Sequence, residues 1–330
     1  MNKEQVVELL QMNYQLIKEG KGKWFDKRAA YIIARSFVIK DRRFSDHEYR
    51  RMEEVLKKEL AIFNVLGQPV RGLLLGMMLA NGKTKELDIH TLLTDYQRLR
   101  DVGFQLSSYS YFSAYLLQYT ETAEKEFIVR KGQHIFQELK SHHYFLTGAE
   151  DGTIAIALAQ QGKLESLTAE QIGHLVEAYY QALNEQGLHK SNQLQFAAAT
   201  AAMLTGTFSY ELMEELKKMV TELKQMGIKP KAELYNSIVT LAFLATMKKV
   251  DFQALGDYLE LLEEKTSLRW YKDFRHSLAL GLLIQAEMTD LSNDTNLNIT
   301  ALTLTMMMAQ EASAAAAAIA VSAAAANSSS

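Results

Sequence analysis

The sequence has no cysteine among its 330 residues, only two prolines and almost no excess of charge of either sign. Without cysteine, disulfides, thiol nucleophiles and cysteine-ligated zinc sites are excluded. A formal net charge of -3 argues against a general nucleic-acid binder, because phosphate contacts need a clear excess of cations. With 48% hydrophobic and 23% charged residues, the composition is that of an ordinary globular protein.

Long apolar runs without charge are missing from residues 1–288 as well. No such run approaches the roughly 20 residues that a membrane-spanning helix needs. Several charges fall where a signal peptide would be apolar, so we expect an amphipathic first helix and a cytoplasmic protein. The phosphate-loop, dinucleotide, serine-nucleophile and zinc-protease motifs are also absent, and we predict no cofactor.

What the sequence does contain is an alternation of two kinds of segment. One kind is long, charged and amphipathic, with apolar residues at helical spacing, as in residues 45–63, 168–187 and 210–227. The other kind is rich in alanine, leucine, glycine and tyrosine, and only its first example contains a charged residue, Arg35. Its examples are residues 29–39, 72–80, 109–119, 153–161, 193–206, 234–247 and 276–286.

An apolar anchor stands just ahead of each low-charge segment, and successive anchors are 40 to 42 residues apart. The anchors are Trp24, Val65, Leu106, Leu146, Leu188, Ile228 and Leu268. Two helical segments in a period of this length are typical of helical-repeat proteins. The pattern predicts an all-α protein of about seven helical hairpins, forming an open α-solenoid or a closed α/α ring, without strands.

Turn residues support these boundaries. Three charged helices are predicted to end on a glycine followed by an apolar residue, the left-handed cap: Gly103-Phe104, Gly187-Leu188 and Gly227-Ile228. Pro69 and Pro230 fall in the first turn of a predicted apolar helix, where a backbone N–H is not needed. Three capping boxes are predicted: Ser45 with Glu48, Thr147 with Glu150, and Thr168 with Gln171.

The composition changes after Met288. We predict a repeat domain over residues 1–288, a polar linker over 289–298 and an alanine-rich segment, helical by propensity, over 299–330. Three interpretations of that last segment remain open. It is a low-complexity extension, a helix that packs into a groove formed by the apolar helices, or a weak membrane anchor.

The most distinctive local sequence is HHYFLTGAEDGTIAIALAQQG, residues 142–162. With its F-L-T-x-x-E-D pattern and the alanine-rich C-terminal end, the chain resembles an uncharacterised domain-of-unknown-function family of Bacillus-type bacteria. The resemblance covers the full chain and implies no known activity. An aromatic-proline pair follows the acidic residues in that family's pattern, and this chain departs from it with Gly152 and Thr153.

Two groups of residues are weak candidates for chemistry. Glu150 and Asp151 are an adjacent carboxylate pair, but the capping box already explains Glu150, and Asp151 suits the first turn of a helix. His134, His142 and His143 lie close together in the sequence and, with Glu150 and Asp151 soon after them, are candidate metal ligands. Surface histidines near a helix C-terminus explain them better, so we predict no metal site.

A wider pattern is a basic rim. If all apolar helices start on one side, that side collects eleven basic residues against five acidic ones, together with helix N-termini that favour anions. The basic residues are Lys21, Lys23, Lys27, Arg28, Arg71, Lys190, Lys229, Lys231, Arg269, Lys272 and Arg275. The acidic residues are Asp26, Glu150, Asp151, Glu233 and Asp273. Solvated lysines at helix starts are the alternative explanation.

Aromatic residues gather on the same stretches, and we expect most of them to pack between neighbouring hairpins. They are Trp24, Phe25, Tyr109, Tyr111, Tyr144, Phe145, Trp270 and Tyr271. Interleaved with basic residues, they would also suit single-stranded nucleic acid, which the overall charge disfavours.

The leading functional hypothesis is a non-enzymatic scaffold whose inner face or basic rim binds a protein or an acidic ligand. The rival is an α/α-ring enzyme or small-molecule receptor with a central cavity. Its only candidate carboxylates would be Glu150, Asp151, Asp26 and Asp273. A third hypothesis is a peripheral membrane protein tethered by its C-terminal segment.

Overall fold

The computed structural model describes residues 1–22, 25–60, 66–105 and 107–290. Within these ranges the chain forms α-helices and short 3-10 turns without any β-strand, so the predicted all-α class is confirmed. The fourteen α-helices are α1 Lys3–Lys21, α2 Lys27–Ile39, α3 Asp46–Glu59, α4 Gln68–Ala80, α5 Glu86–Asp101, α6 Ser110–Leu117, α7 Lys125–His142, α8 Gly152–Ala159, α9 Ala169–Glu185, α10 Asn192–Thr205, α11 Tyr210–Gln225, α12 Tyr235–Ala245, α13 Phe252–Lys265 and α14 Lys272–Asp290.

The odd-numbered helices are amphipathic and the even-numbered helices are buried. Helix α11 buries one stripe, from Leu212 to Leu223 at helical spacing, and leaves its charged residues on the other face. By contrast, every residue of α6 and of α8 is buried. The absence of charge in the even-numbered segments therefore reflects burial on all sides, since an unpaired charge there would be costly.

The described residues form two compact units, residues 1–125 and residues 126–290. In the first unit α1 packs on α2, α3 on α4 and α5 on α6, while α2, α4 and α6 also pack in that order. The close approach of α2 to α4 needs Gly76, since a Cβ there would lie 2.6 Å from Ile33 Cγ2. In the second unit α9 packs on α10, α11 on α12 and α13 on α14, and α8, α10, α12 and α14 pack successively.

The three predicted glycine caps are confirmed. Gly103, Gly187 and Gly227 have positive φ angles of 97°, 89° and 73°, which glycine adopts without steric cost. The next backbone N–H bonds the carbonyl five residues back in each case, at 3.0 Å, 3.2 Å and 2.8 Å. The capping box of Thr168 and Gln171 is also present, and Ser45 caps α3.

Two predicted helix starts are wrong. A 3-10 turn, Ala149–Asp151, precedes α8, so Asp151 rather than Thr147 occupies the N-cap position. The Thr147 hydroxyl is buried and lies 3.1 Å from Gln195 Nε2 of α10, a tertiary partner that draws it away from a capping role. Likewise Pro230 lies ahead of a 3-10 turn, Ala232–Leu234, and not in the first turn of α12.

No helix in the part of the chain described is long and apolar enough to cross a membrane. Helix α14 ends at Asp290, and residues 291–330 lie outside the described ranges, so the three interpretations of the alanine-rich segment stay predictions. The anchors Trp24, Val65 and Leu106 and the rim residue Lys23 also lie outside them. The later anchors Leu188, Ile228 and Leu268 are buried.

Candidate functional site

The loops that lead from an odd-numbered helix to the next even-numbered one in residues 126–290 lie on one side of that unit. We call them the odd-to-even loops; they are residues 143–151, 186–191, 226–234 and 266–271. One hydrogen bond joins each neighbouring pair of these loops or of the helix starts that follow them. Asn192 Nδ2 donates to Asp151 Oδ2 at 3.5 Å, the His189 N–H donates to Tyr235 Oη at 2.9 Å, and Lys231 Nζ donates to Asp273 Oδ2 at 2.5 Å. Neighbouring odd-to-even loops of this unit are therefore in contact.

A cleft of about 740 Å³ opens between the second and third of these loops. Its cationic lining residues are Lys224, Lys229 and Lys231, all exposed, and His189 stands beside them. No aspartate or glutamate is among the lining residues that the structure describes. We call this feature the basic cleft. Concave sites lined by charges of one sign concentrate the field and attract the opposite charge.

Two of the cleft lysines were predicted and one was missed. Lys229 and Lys231 belong to the predicted rim, whereas Lys224 comes from the last turn of α11, on the other side of the Gly227 cap. The left-handed turn at Gly227 brings the two chain segments together. Lys224 could have been predicted from the sequence, because a lysine in the last turn before a glycine cap lies near the residues that follow the cap.

Of the cleft lysines, Lys231 has an ion-pair partner. Its hydrogen bond with Asp273 raises the pKa of Lys231 above its usual value. Both side chains are about half exposed, so this pair is open to solvent and contributes little to stability.

The other predicted rim residues are divided between structural ion pairs and exposed positions outside the cleft. Arg275 is buried and its guanidinium is 2.7 Å from Glu263 Oε2, so it serves an ion pair between α13 and α14. Lys27 and Arg28 open α2 in the other unit, with Arg28 Nε 3.7 Å from Asp26 Oδ1. Three more rim residues are exposed at the odd-to-even loops or the helix start that follows: Lys190, Arg269 and Lys272.

In residues 1–125 the rim residues Lys21 and Arg71 converge on a buried carboxylate. Glu53 Oε1 lies 3.1 Å from Lys21 Nζ and 3.5 Å from Arg71 Nε, and Glu53 Oε2 lies 3.3 Å from Lys57 Nζ. Lys21 Nζ also stands 4.1 Å from the centre of the Tyr49 ring. We call these residues the Glu53 cluster.

The electrostatics of the Glu53 cluster follow from burial and charge together. Burial alone would raise the pKa of Glu53, but the hydrogen bond and charge of Lys21 and the charge of Lys57 outweigh it and hold that pKa below its usual value. Burial lowers the pKa of Lys21 despite the opposing effect of Glu53. The buried Tyr49 hydroxyl has its pKa raised by desolvation.

Three of the four candidate catalytic carboxylates have structural partners. Asp26 caps α2 by accepting from the N–H groups of Arg28 and Ala29. Asp151 is fully buried, and its Oδ2 accepts from the Gly148 N–H at 2.7 Å. Asp273 pairs with Lys231, and Glu150 lies in the 3-10 turn before α8. Asp151 thus holds the loop before α8 and occupies its N-cap position, in place of the predicted capping box of Thr147 and Glu150.

The candidate metal ligands do not come together. His143 Nε2 lies 2.6 Å from Glu177 Oε2, and its ring is 4.1 Å from that of Tyr180. His142 meets the ring of His174 instead, and His134 is exposed. Among the residues that the structure describes, no group of three or more histidines and carboxylates is arranged to hold a metal ion.

The expected packing of aromatic residues between hairpins is wrong at two loops. Tyr144 and Phe145 are 66% and 97% exposed, and Trp270 and Tyr271 are 89% and 42% exposed. We call them the two aromatic pairs, in the first and the last odd-to-even loops. Tyr111 is buried, and it stacks on Tyr96 of the same hairpin with ring centres 4.0 Å apart.

Comparisons with known proteins agree with the resemblance found in the sequence. A family model described as a protein of unknown function, DUF4003, matches residues 13–312. An uncharacterised protein of Bacillus subtilis (strain 168), YeaA, is 23% identical over 270 residues, 78% of this chain and 77% of that protein. No solved structure matches the chain.

Proposed function

The chain belongs to the DUF4003 family of proteins of unknown function, and we propose that it is a non-enzymatic scaffold whose basic cleft binds an acidic partner or ligand. One observation carries the proposal. Lys224, Lys229 and Lys231 are exposed, and no carboxylate is among the described lining residues of the cleft, although Lys231 pairs with Asp273 from α14. Elsewhere in the chain comparable cations are neutralised, as Arg275 is by Glu263.

The surroundings of the cleft support an anionic ligand. Helix α10 begins beside the cleft, and helix N-termini favour negative charge. Lysine is a strongly hydrated point charge that suits carboxylate or phosphate groups in wet, open sites. The exposed cations at neighbouring odd-to-even loops, Lys190, Arg269 and Lys272, extend the positive surface beyond the cleft.

The proposal includes the repeat architecture. The alternation of amphipathic and buried helices, and the successive packing of the even-numbered helices within each unit, support seven hairpins built on one plan. Whether the array is an open solenoid or a closed ring is a prediction for small-angle scattering. A cytoplasmic location remains part of the proposal.

A small-molecule receptor is the second candidate, and the volume of the cleft favours it. At about 740 Å³ the cleft falls within the range of small-molecule sites. An α/α-ring enzyme has less support, because Asp26, Asp151 and Asp273 already have structural partners.

The test is binding of two soluble polyanions to the full chain. We expect inorganic tripolyphosphate, or a poly-glutamate peptide, to bind at low ionic strength, with affinity that falls as salt is added. The triple variant Lys224→Glu, Lys229→Glu, Lys231→Glu should bind at least about tenfold more weakly, because six units of charge change at the site.

The matched control reverses exposed lysines outside the cleft, Lys217→Glu with Lys249→Glu. This variant should retain most of the affinity although its net charge also falls. Equal affinity of the triple variant and the wild type, with both folded by circular dichroism, would overturn the proposal.

A further inference from the structure

We propose that the odd-to-even loops of residues 126–290 dock on the surface of an anionic lipid bilayer. The inference rests on the proposed function, since the cations of the basic cleft supply the electrostatic attraction. What it adds is a role for the two aromatic pairs, which the binding of a soluble anion leaves unexplained.

The first aromatic pair stands in the loop after α7. The rings of Tyr144 and Phe145 are 5.4 Å apart and perpendicular, and Phe145 is 97% exposed. Lys140 Nζ lies 5.3 Å from the centre of the Tyr144 ring, so a cation accompanies the pair. Transfer of a fully exposed phenylalanine side chain from water to an apolar medium is favourable.

The second aromatic pair stands just before α14. Trp270 and Tyr271 lie between the exposed cations Arg269 and Lys272. Tryptophan and tyrosine prefer the interface between lipid headgroups and acyl chains, because each has an apolar body and a polar edge. Flanking cations favour the anionic headgroups at the same depth.

The two pairs stand at the ends of one row of loops, and the basic cleft lies between them. The even-numbered helices of this unit pack in the order α8, α10, α12 and α14, so the row spans up to about 30 Å at 8–10 Å per step. Protein interfaces usually place aromatic residues at the centre and charges at the rim. In this row the charges are central and the aromatic residues are at the two ends. This arrangement suits a broad anionic surface that both aromatic pairs can contact at the same time.

The experiment is co-sedimentation of the full chain with vesicles of phosphatidylcholine alone or mixed with phosphatidylglycerol. We expect binding to the mixed vesicles only. The variant Phe145→Ser with Trp270→Ser should lower the partition coefficient about tenfold, as expected for two partly inserted side chains. It should bind tripolyphosphate as the wild type does.

The matched control is Phe127→Ser with Tyr210→Ser. These side chains are 59% and 79% exposed, but they lie at the starts of α7 and α11, away from the odd-to-even loops. Vesicle binding should be unchanged in this variant.

Four outcomes would overturn the inference. If tripolyphosphate binds and the mixed vesicles do not, the basic cleft serves a soluble anion and only the bilayer inference falls. If neither binds, the proposed function falls as well. If vesicles bind equally well without Phe145 and Trp270, another part of the chain, such as the alanine-rich segment, makes the contact. Loss of poly-glutamate binding in the aromatic variant would identify an acidic protein as the partner instead.

Discussion

Lysine and arginine occupy similar repeat positions in the two units but have different surroundings. In residues 1–125, Lys21 and Arg71 surround the buried Glu53. In residues 126–290, Lys229 lies in an open cleft without a described carboxylate in its lining. A basic residue before a buried helix is thus held in a buried ion pair at Lys21 and Arg71, and remains exposed at Lys229.

Burial decides how much the Glu53 cluster and the lysines of the basic cleft each contribute to the stability of the fold. An ion pair taken out of water repays its desolvation only if every partner is present, so loss of one partner is costly. An exposed lysine keeps its hydration shell and loses little when it is replaced. The predictions below test this contrast on stability.

The largest effect is expected at the centre of the Glu53 cluster. Glu53→Gln leaves Lys21 and Arg71 close together without their carboxylate, and should lower the free energy of unfolding by about 3 kcal/mol. Urea denaturation of the full chain measures this change in the free energy of unfolding. Glu54→Gln, on the exposed face of the same helix, is the control and should cost less than about 0.5 kcal/mol. Equal midpoints for the two variants would contradict the structural role of Glu53.

A matched pair of lysine substitutions compares the two units directly. Lys21→Met should cost about 1–2 kcal/mol, because Glu53 loses its nearest cation. Lys229→Met should cost less than about 0.5 kcal/mol, since its side chain is exposed. Thermal unfolding of both variants checks the difference, and a larger loss at Lys229 would reverse our assignment of roles.

Buried carboxylates with different partners should respond differently to the loss of charge. Asp151 accepts a backbone N–H from Gly148, and an amide oxygen can do the same. Asp151→Asn should therefore cost under about 1 kcal/mol, well below the expected cost of Glu53→Gln. Urea denaturation again provides the measurement, and a cost equal to that of Glu53→Gln would mean that the negative charge of Asp151 is needed.

The smallest effect is a dependence on pH. Because the pKa of Glu53 is lower in the folded chain than its usual value of 4.5, its stabilisation is complete above that value and is lost as the pH falls through the folded pKa. The difference in unfolding free energy between the wild type and Glu53→Gln should shrink as the pH falls below 4.5. A constant difference down to acid unfolding would contradict the pKa shift.

The sequence predicted the helices better than their starts. The lack of charge in residues 153–161 predicted a buried helix, and the glycine caps predicted where charged helices end, because both signals are local. The start of α8 was wrong because the Thr147 hydroxyl meets Gln195 of a helix more than forty residues away. No local pattern records such a partner.

The candidate site was predicted in part for the same reason. Lys229 and Lys231 were found because they lie near the start of a low-charge segment. Whether a rim cation remains exposed depends on acids from other helices, and the sequence does not pair Arg71 with Glu53 or Arg275 with Glu263. The exposure of the two aromatic pairs was not predicted either, because it depends on which other parts of the chain cover each loop.

Hydrogen exchange of the full chain, with and without inorganic tripolyphosphate, tests the contrast between the two units most directly. The account predicts slower exchange in residues 187–191 and 227–235, which border the basic cleft, and no change in residues 66–71 beside the Glu53 cluster. Protection confined to residues 66–71, or absent from both regions, would contradict it.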